Sequence, residues 1–159
     1  MHTSEIQMAF DDVFDQALVF HGFTDYMRDY DVFIYAIADP RTGIAPQNLR
    51  YRFTHCVRAT VTSVLSPEIW KRSLDDRLLD HKLADDLEGY VWAVRWQALY
   101  PGMRLVTPSA DAERWSADLD IPFHEAVIAT NGHIVSLVFS DLTVNAVSPG
   151  DTPFVVSAD

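Results

Sequence analysis

From Leu49 to Val64 the chain keeps up an alternation between apolar and polar side chains. Leu49, Tyr51, Phe53, Val57, Ala59 and Val61 take one face, and Arg50, Arg52, Thr54, Arg58, Thr60 and Thr62 the other. A period of two is the signature of a half-buried strand, so an all-helical fold is excluded. A strand of that length is expected to bend or bulge. Asp31 to Ala38 predicts another strand, ended by Asp39-Pro40 and a turn through Gly43. Tyr90, Trp92, Val94, Trp96 and Ala98 predict a strand with an aromatic face, with Val91, Ala93, Arg95 and Gln97 on its reverse. Pro122 to Val147 reads as a meander. Asn131-Gly132 predicts a type I′ hairpin, and Ser140-Asp141 a second turn.

Helical spacing appears first at the N-terminus. Ile6, Ala9, Phe10, Val13, Phe14, Ala17, Leu18 and His21 share a stripe, Ser4 and Gln7 suit a capping box, and Gly22 suits a left-handed stop. Ser66-Pro67-Glu68 predicts a helix start with Ile69, Trp70 and Leu74 behind it. Leu78, Leu79, Leu83 and Leu87 predict a short helix, and Thr107-Pro108 or Ser109 opens one bearing Ala112, Trp115 and Leu119. The expected fold is α+β: a single, mostly antiparallel sheet of about six strands, with the N-terminal helix and two or three more packed mainly on one face. Residues 1–147 are expected to form one domain, and the tail 148–159, with Pro149, Gly150 and Pro153, to fray.

Composition narrows the function. The chain has 159 residues, 48% of them hydrophobic, and a formal charge of −11. Gripping phosphates needs surplus Lys and Arg, so a nucleic-acid binder is not expected. One cysteine, Cys56, excludes an internal disulfide framework and a multi-cysteine zinc module. Met1 to Phe10 carries no Lys or Arg and no long apolar run, and no stretch approaches the ~20 apolar residues of a spanning helix. The cytoplasm is the expected location and no membrane partner is expected.

No Gly-rich phosphate loop, G-x-S-x-G elbow, H-E-x-x-H or paired C-x-x-C occurs, so no catalytic residue, metal ligand or cofactor is assigned. Asp75, Asp76, Asp80, His81, Asp85 and Asp86 carry carboxylates at helical spacing. They read as a solvated face opposite the leucines and as a candidate partner surface. His55-Cys56 lies within the long strand, so the two side chains point apart and Cys56 reads as a buried, inert thiol. His124 and His133 read first as sheet and turn residues. Between His21 and Asp31, Tyr26, Arg28 and Tyr30 form a candidate recognition rim, since Tyr and Arg anchor interfaces. Arg50, Arg52 and Arg58 share a strand face that Arg95 extends, which makes an alternative anion site.

His21-Gly22-Phe23, Tyr26-Met27-Arg28-Asp29-Tyr30, Leu49-Arg50-Tyr51-Arg52-Phe53, Gly89-Tyr90-Val91-Trp92 and Leu137-Val138-Phe139-Ser140-Asp141-Leu142 carry a resemblance. With them the chain is similar to the bacterial YxiG-like domain family, in an actinobacterial form, over roughly Glu5 to Val147. These motifs bear the fold, so the resemblance implies no catalytic residue and no cofactor. The expected function is a non-enzymatic, acidic protein-binding module of the immunity or partner-neutralising type, its partner a basic protein. The alternative is a small-ligand binder or enzyme with a pocket built from Arg50, Arg52, Arg58, Arg95, His55 and His124. A third reading is an oligomer assembled through an open strand edge.

Overall fold

The structure, a computed structural model, describes residues 1–36, 45–68 and 97–151. In chain order the elements are α1 (Thr3–Asp11), β1 (Ala17–Thr24), β2 (Asp29–Ala36), β3 (Gln47–Thr54), β4 (Arg58–Ser63), β5 (Gln97–Ala98), β6 (Gly102–Val106), α2 (Ala110–Leu119), β7 (His124–Ala129), β8 (His133–Phe139) and β9 (Asp141–Val147). The fold is α+β and its described pairings are antiparallel. The single sheet expected from sequence is in fact two, ordered β5-β1-β2-β3-β9 and β4-β8-β7-β6.

The long alternating stretch causes the split. Its ladder with β9 stops at Thr54↔Asp141, and its ladder with β8 begins at Arg58↔Val138. Residues 55–57 therefore face only 139 and 140, a bulge that turns both strands from one sheet into the other. His55 takes φ 47° to make the corner. Ser140 locks it: its N–H donates to the Thr54 carbonyl at 2.9 Å, and its Oγ lies 2.9 Å from His55 Nδ1. Ser140-Asp141 is thus a crossing between sheets, and no hairpin turn.

The inner faces of the two sheets share one core. Tyr30, Val32, Ile34, Tyr51 and Phe53 from the first meet Ala126, Ile128, Val135, Leu137 and Phe139 from the second, with Ile6 and Phe10 of α1 among them. Phe53 and Phe139 meet edge to face, with centroids 4.8 Å apart. The Tyr51 hydroxyl donates to the Ala9 carbonyl at 2.7 Å and ties α1 down. The outer face of the second sheet carries α2, where Ala112, Phe123 and Val138 form a smaller core with Trp115. The helices therefore do not share one sheet face. Among the described residues α1 and α2 are the complete helices. Pro67 and Glu68 are helical where a start was expected, and the leucine helix and aromatic strand expected between 69 and 96 lie outside the described residues.

The N-terminal helix is shorter than its pattern. It stops at Asp11, and Ala17–Thr24, read as its last turns, is strand β1. Val13, Ala17 and Leu18 are buried as expected, but aromatic and β-branched Phe20, Phe23 and Thr24 pair with β2 instead, with Val19 at a register shift between Leu18 and Phe20. Gly22 is consequently mid-strand, opposite Asp31, where a Cβ would approach the Phe20 ring to 3.3 Å. The capping box exists, built from His2 and Glu5 in place of Ser4 and Gln7. The start of α2 is as expected, with Ser109 as N-cap accepting from the Ala112 N–H. Asn131-Gly132 does close the β7–β8 turn, but the positive φ that type I′ requires is found at neither residue. Thr130 clamps it, its Oγ1 accepting from the N–H groups of Gly132 and His133.

Candidate functional site

The tip joining β1 to β2 departs furthest from ordinary chain geometry. Thr24 pairs with Asp29, leaving Asp25-Tyr26-Met27-Arg28 as the loop. Asp25, Tyr26 and Met27 all take left-handed backbone, with φ of 52°, 62° and 61°. Each such residue costs a non-glycine side chain about 1–2 kcal/mol. None of Gly, Asn or Pro relieves the turn. The strain displays two apolar side chains, Tyr26 at 99% exposure and Met27 at 70%.

The base of the tip is braced from within and from the corner beside it. Arg28 Nη2 donates to Asp25 Oδ2 at 3.2 Å, and its backbone carbonyl accepts from the Cys56 N–H at 2.7 Å. Buried Asp29 accepts from the His55 N–H at 3.0 Å, with Arg28 Nε at 3.6 Å. One strand position further in on the same face, Asp31 is fully buried and receives Arg52 Nε and Nη2 at 2.8 and 2.9 Å. That charge-assisted fork holds the Arg52 guanidinium above its usual pKa. Tyr30, placed on the rim by the sequence, is buried instead. Its hydroxyl sits 2.7 Å from His21 Nδ1, and burial pushes it up to about 12. Burial also lowers His21 and raises the Cys56 thiol to about 11, which disfavours its thiolate.

The structure separates the arginines that the sequence put together. Arg50 and Arg52 lie on the outer face of the first sheet, whereas the bulge carries Arg58 to the outer face of the second. There Arg58 meets Asp111, Glu125 at 2.6 Å and Ser136 at 3.3 Å. Arg95, Asp75, Asp76 and Asp80 lie outside the described residues. His55 serves the corner. His124 lines a cleft of about 420 Å³ with Ser109, Ser116, Phe123 and Glu125, between α2 and β7.

In that cleft the Glu125 carboxylate is fully engaged. Burial raises Glu125, but Ser109 on Oε2 and Arg58 with Ser136 on Oε1 outweigh it, so its carboxyl stays below the usual range. Ser109 Oγ is also engaged in capping α2. His124 is held below its ordinary pKa by burial and then by the N-terminal ammonium. A second cleft of about 420 Å³, lined by Phe20, Phe33, Leu49 and Val147, has Asn48, Ser148 and Asp151 as its polar lining. Among the described residues no three His, Cys, Asp or Glu side chains gather to hold a metal ion.

Met27 is the tip residue that sequence reasoning passed over. The signal for it was a four-residue connector with none of the usual turn residues. The molecule is a two-sheet α+β domain whose β1–β2 hairpin carries left-handed backbone at its tip and is braced on buried carboxylates. Its sequence matches the family model described as YxiG-like protein over residues 2–157, and the chain belongs to that family. No curated protein and no solved structure matches it. No described helix is long and apolar enough to cross a membrane.

Proposed function

We propose that this protein is a non-enzymatic binding module that docks on a basic partner protein through the β1–β2 tip. The observation that carries the reading is the pairing of strain with display. Backbone strain holds Tyr26 and Met27 in water, where they contribute nothing to the fold, on a base that cannot relax. Rigid aromatic and thioether side chains beside an arginine suit a partner's pocket, and their immobility lowers the entropy lost on docking. The formal charge of −11 favours a basic partner and speeds encounter at low salt. An immunity-type or otherwise neutralising role is the form of this reading that best suits a small acidic domain.

The test is photo-crosslinking in the native host, with the crosslinking side chain at position 26 and, as control, at exposed Leu119 on α2. Position 26 is expected to trap one basic protein that position 119 does not, and Met27→Ala is expected to reduce the yield at least tenfold. Equal yields at the two positions would refute the tip as the docking element. An acidic or neutral partner would refute the electrostatic half of the reading.

A further inference from the structure

The arginines of the long alternating stretch meet different fates. Arg52 is forked by Asp31, and Arg58 is answered by Asp111 and Glu125. Arg50, two residues before Arg52 on the same outer face of the first sheet, ion-pairs with no carboxylate among the described residues. Its Nε is buried without a hydrogen-bond partner. A guanidinium drawn partly out of water, with no acid to offset it, attracts an anion. Arg50 also stands beside the apolar cleft of about 420 Å³ on this sheet. Its partner across the β2 ladder is Phe33, and Asn48 lies two residues back on the same face; both line that cleft. The Phe33 and Phe20 rings sit there with centroids 6.1 Å apart, Phe20 being 43% exposed. Away from Arg50, Asn48 pairs with Val147, and the chain runs on through Ser148 to Asp151 at the far end of the cleft.

We propose that this cleft binds a small apolar monocarboxylate, an aryl or alkyl acid, with its hydrocarbon body against Phe20, Phe33 and Val147 and its carboxylate on Arg50. The cleft has the size of an ordinary small-ligand site, with a mainly apolar wall and a few polar groups to fix orientation. A guanidinium takes a carboxylate as a planar fork, the arrangement that Arg52 makes with Asp31 two residues along. Asp151 at the far end repels the carboxylate and so directs it toward Arg50. The formal charge of −11 works against a multiply charged anion such as a phosphate ester. Acids beyond a Debye length of about 8–10 Å are screened, so a single charge held directly on Arg50 is tolerated. The cleft lies at the end of the β1–β2 hairpin away from its tip, and the proposal stands or falls independently of docking there.

The test is a titration of the full chain with naphthylacetate, followed by amide NMR shifts, with naphthylacetamide and acetate as controls. The acid is expected to bind saturably with Kd below about 1 mM, moving the amides of Phe20, Phe33, Asn48 and Val147. The neutral amide, which lacks the charge, and acetate, which lacks the rings, are each expected to bind at least tenfold more weakly. Arg50→Gln is expected to weaken the acid at least tenfold and to leave the amide unchanged, whereas Arg104→Gln, at an exposed position of the second sheet, changes neither. Arg50→Lys, which keeps the charge but loses the fork, repeats the test should the first variant fold poorly by circular dichroism, again weakening the acid alone. No saturation by about 10 mM acid would overturn the proposal. So would equal affinities for acid and amide, an acid affinity unmoved by the folded Arg50 variant or lowered as much by Arg104→Gln, or shifts confined to residues outside the cleft.

Discussion

Asp31 has no solvent contact, and its charge is tolerable because Arg52 spans both of its oxygens. Cutting one side of a buried pair costs about 3–5 kcal/mol, because the surviving charge is left without compensation. Arg52→Met should therefore lower the urea midpoint sharply, whereas Asp31→Leu with Arg52→Met should recover much of the loss. His21 and His124 carry a second residue-scale expectation. Burial lowers both below 6.5, so the folded chain prefers them neutral and the unfolded chain binds more protons. Their stabilisation is complete above pH 6.5 and is lost as pH falls through the folded values. Denaturant titrations from pH 7 to 5 should show stability falling, and His124→Phe should flatten that slope. Glu125 and Asp141 follow at lower pH. Both are held below their ordinary values of 4.5 and 3.8, so their contribution erodes as pH falls from there.

Among the elements, the β1–β2 hairpin sets display against stability. Met27→Gly should relieve left-handed strain and raise stability by up to about 1 kcal/mol while weakening capture by the tip, read by thermal melts beside crosslinking yield. Tyr26→Ala keeps the strain and should leave the melt unchanged. Removing the α2 cap with Ser109→Ala should cost about 1 kcal/mol by denaturant titration, and more if Glu125 is left with an unanswered oxygen. The start of α2 and the position of the β7–β8 turn were legible because each depends on a local chemical need: an acceptor for orphan N–H groups, and turn-forming residues between two apolar runs. The end of α1 was not legible. Ala17 and Leu18 are buried either on a helix stripe or on the two opposite faces of a strand, and only pairing with β2 chooses between them.

At the scale of the whole molecule, stability resides where the two sheets touch. Phe53→Ala removes the ring that meets both Phe139 and Phe10 and should cost about 3–5 kcal/mol, enough to abolish a cooperative melt. By itself the sequence determined the α+β class, the antiparallel pairing, the alternating buried faces, the family and the acidic charge. The family aside, these follow from periodicity and composition, which are properties of neighbours along the chain. Only the tertiary structure decided that the long strand folds across two sheets, that Arg52 and Arg58 end on different sheets, and that Tyr30 is buried while Tyr26 stands clear. Each of those outcomes turns on a backbone angle at one corner or tip, and such an angle is set by partners distant in sequence: Ser140 for His55, and Cys56 for Arg28.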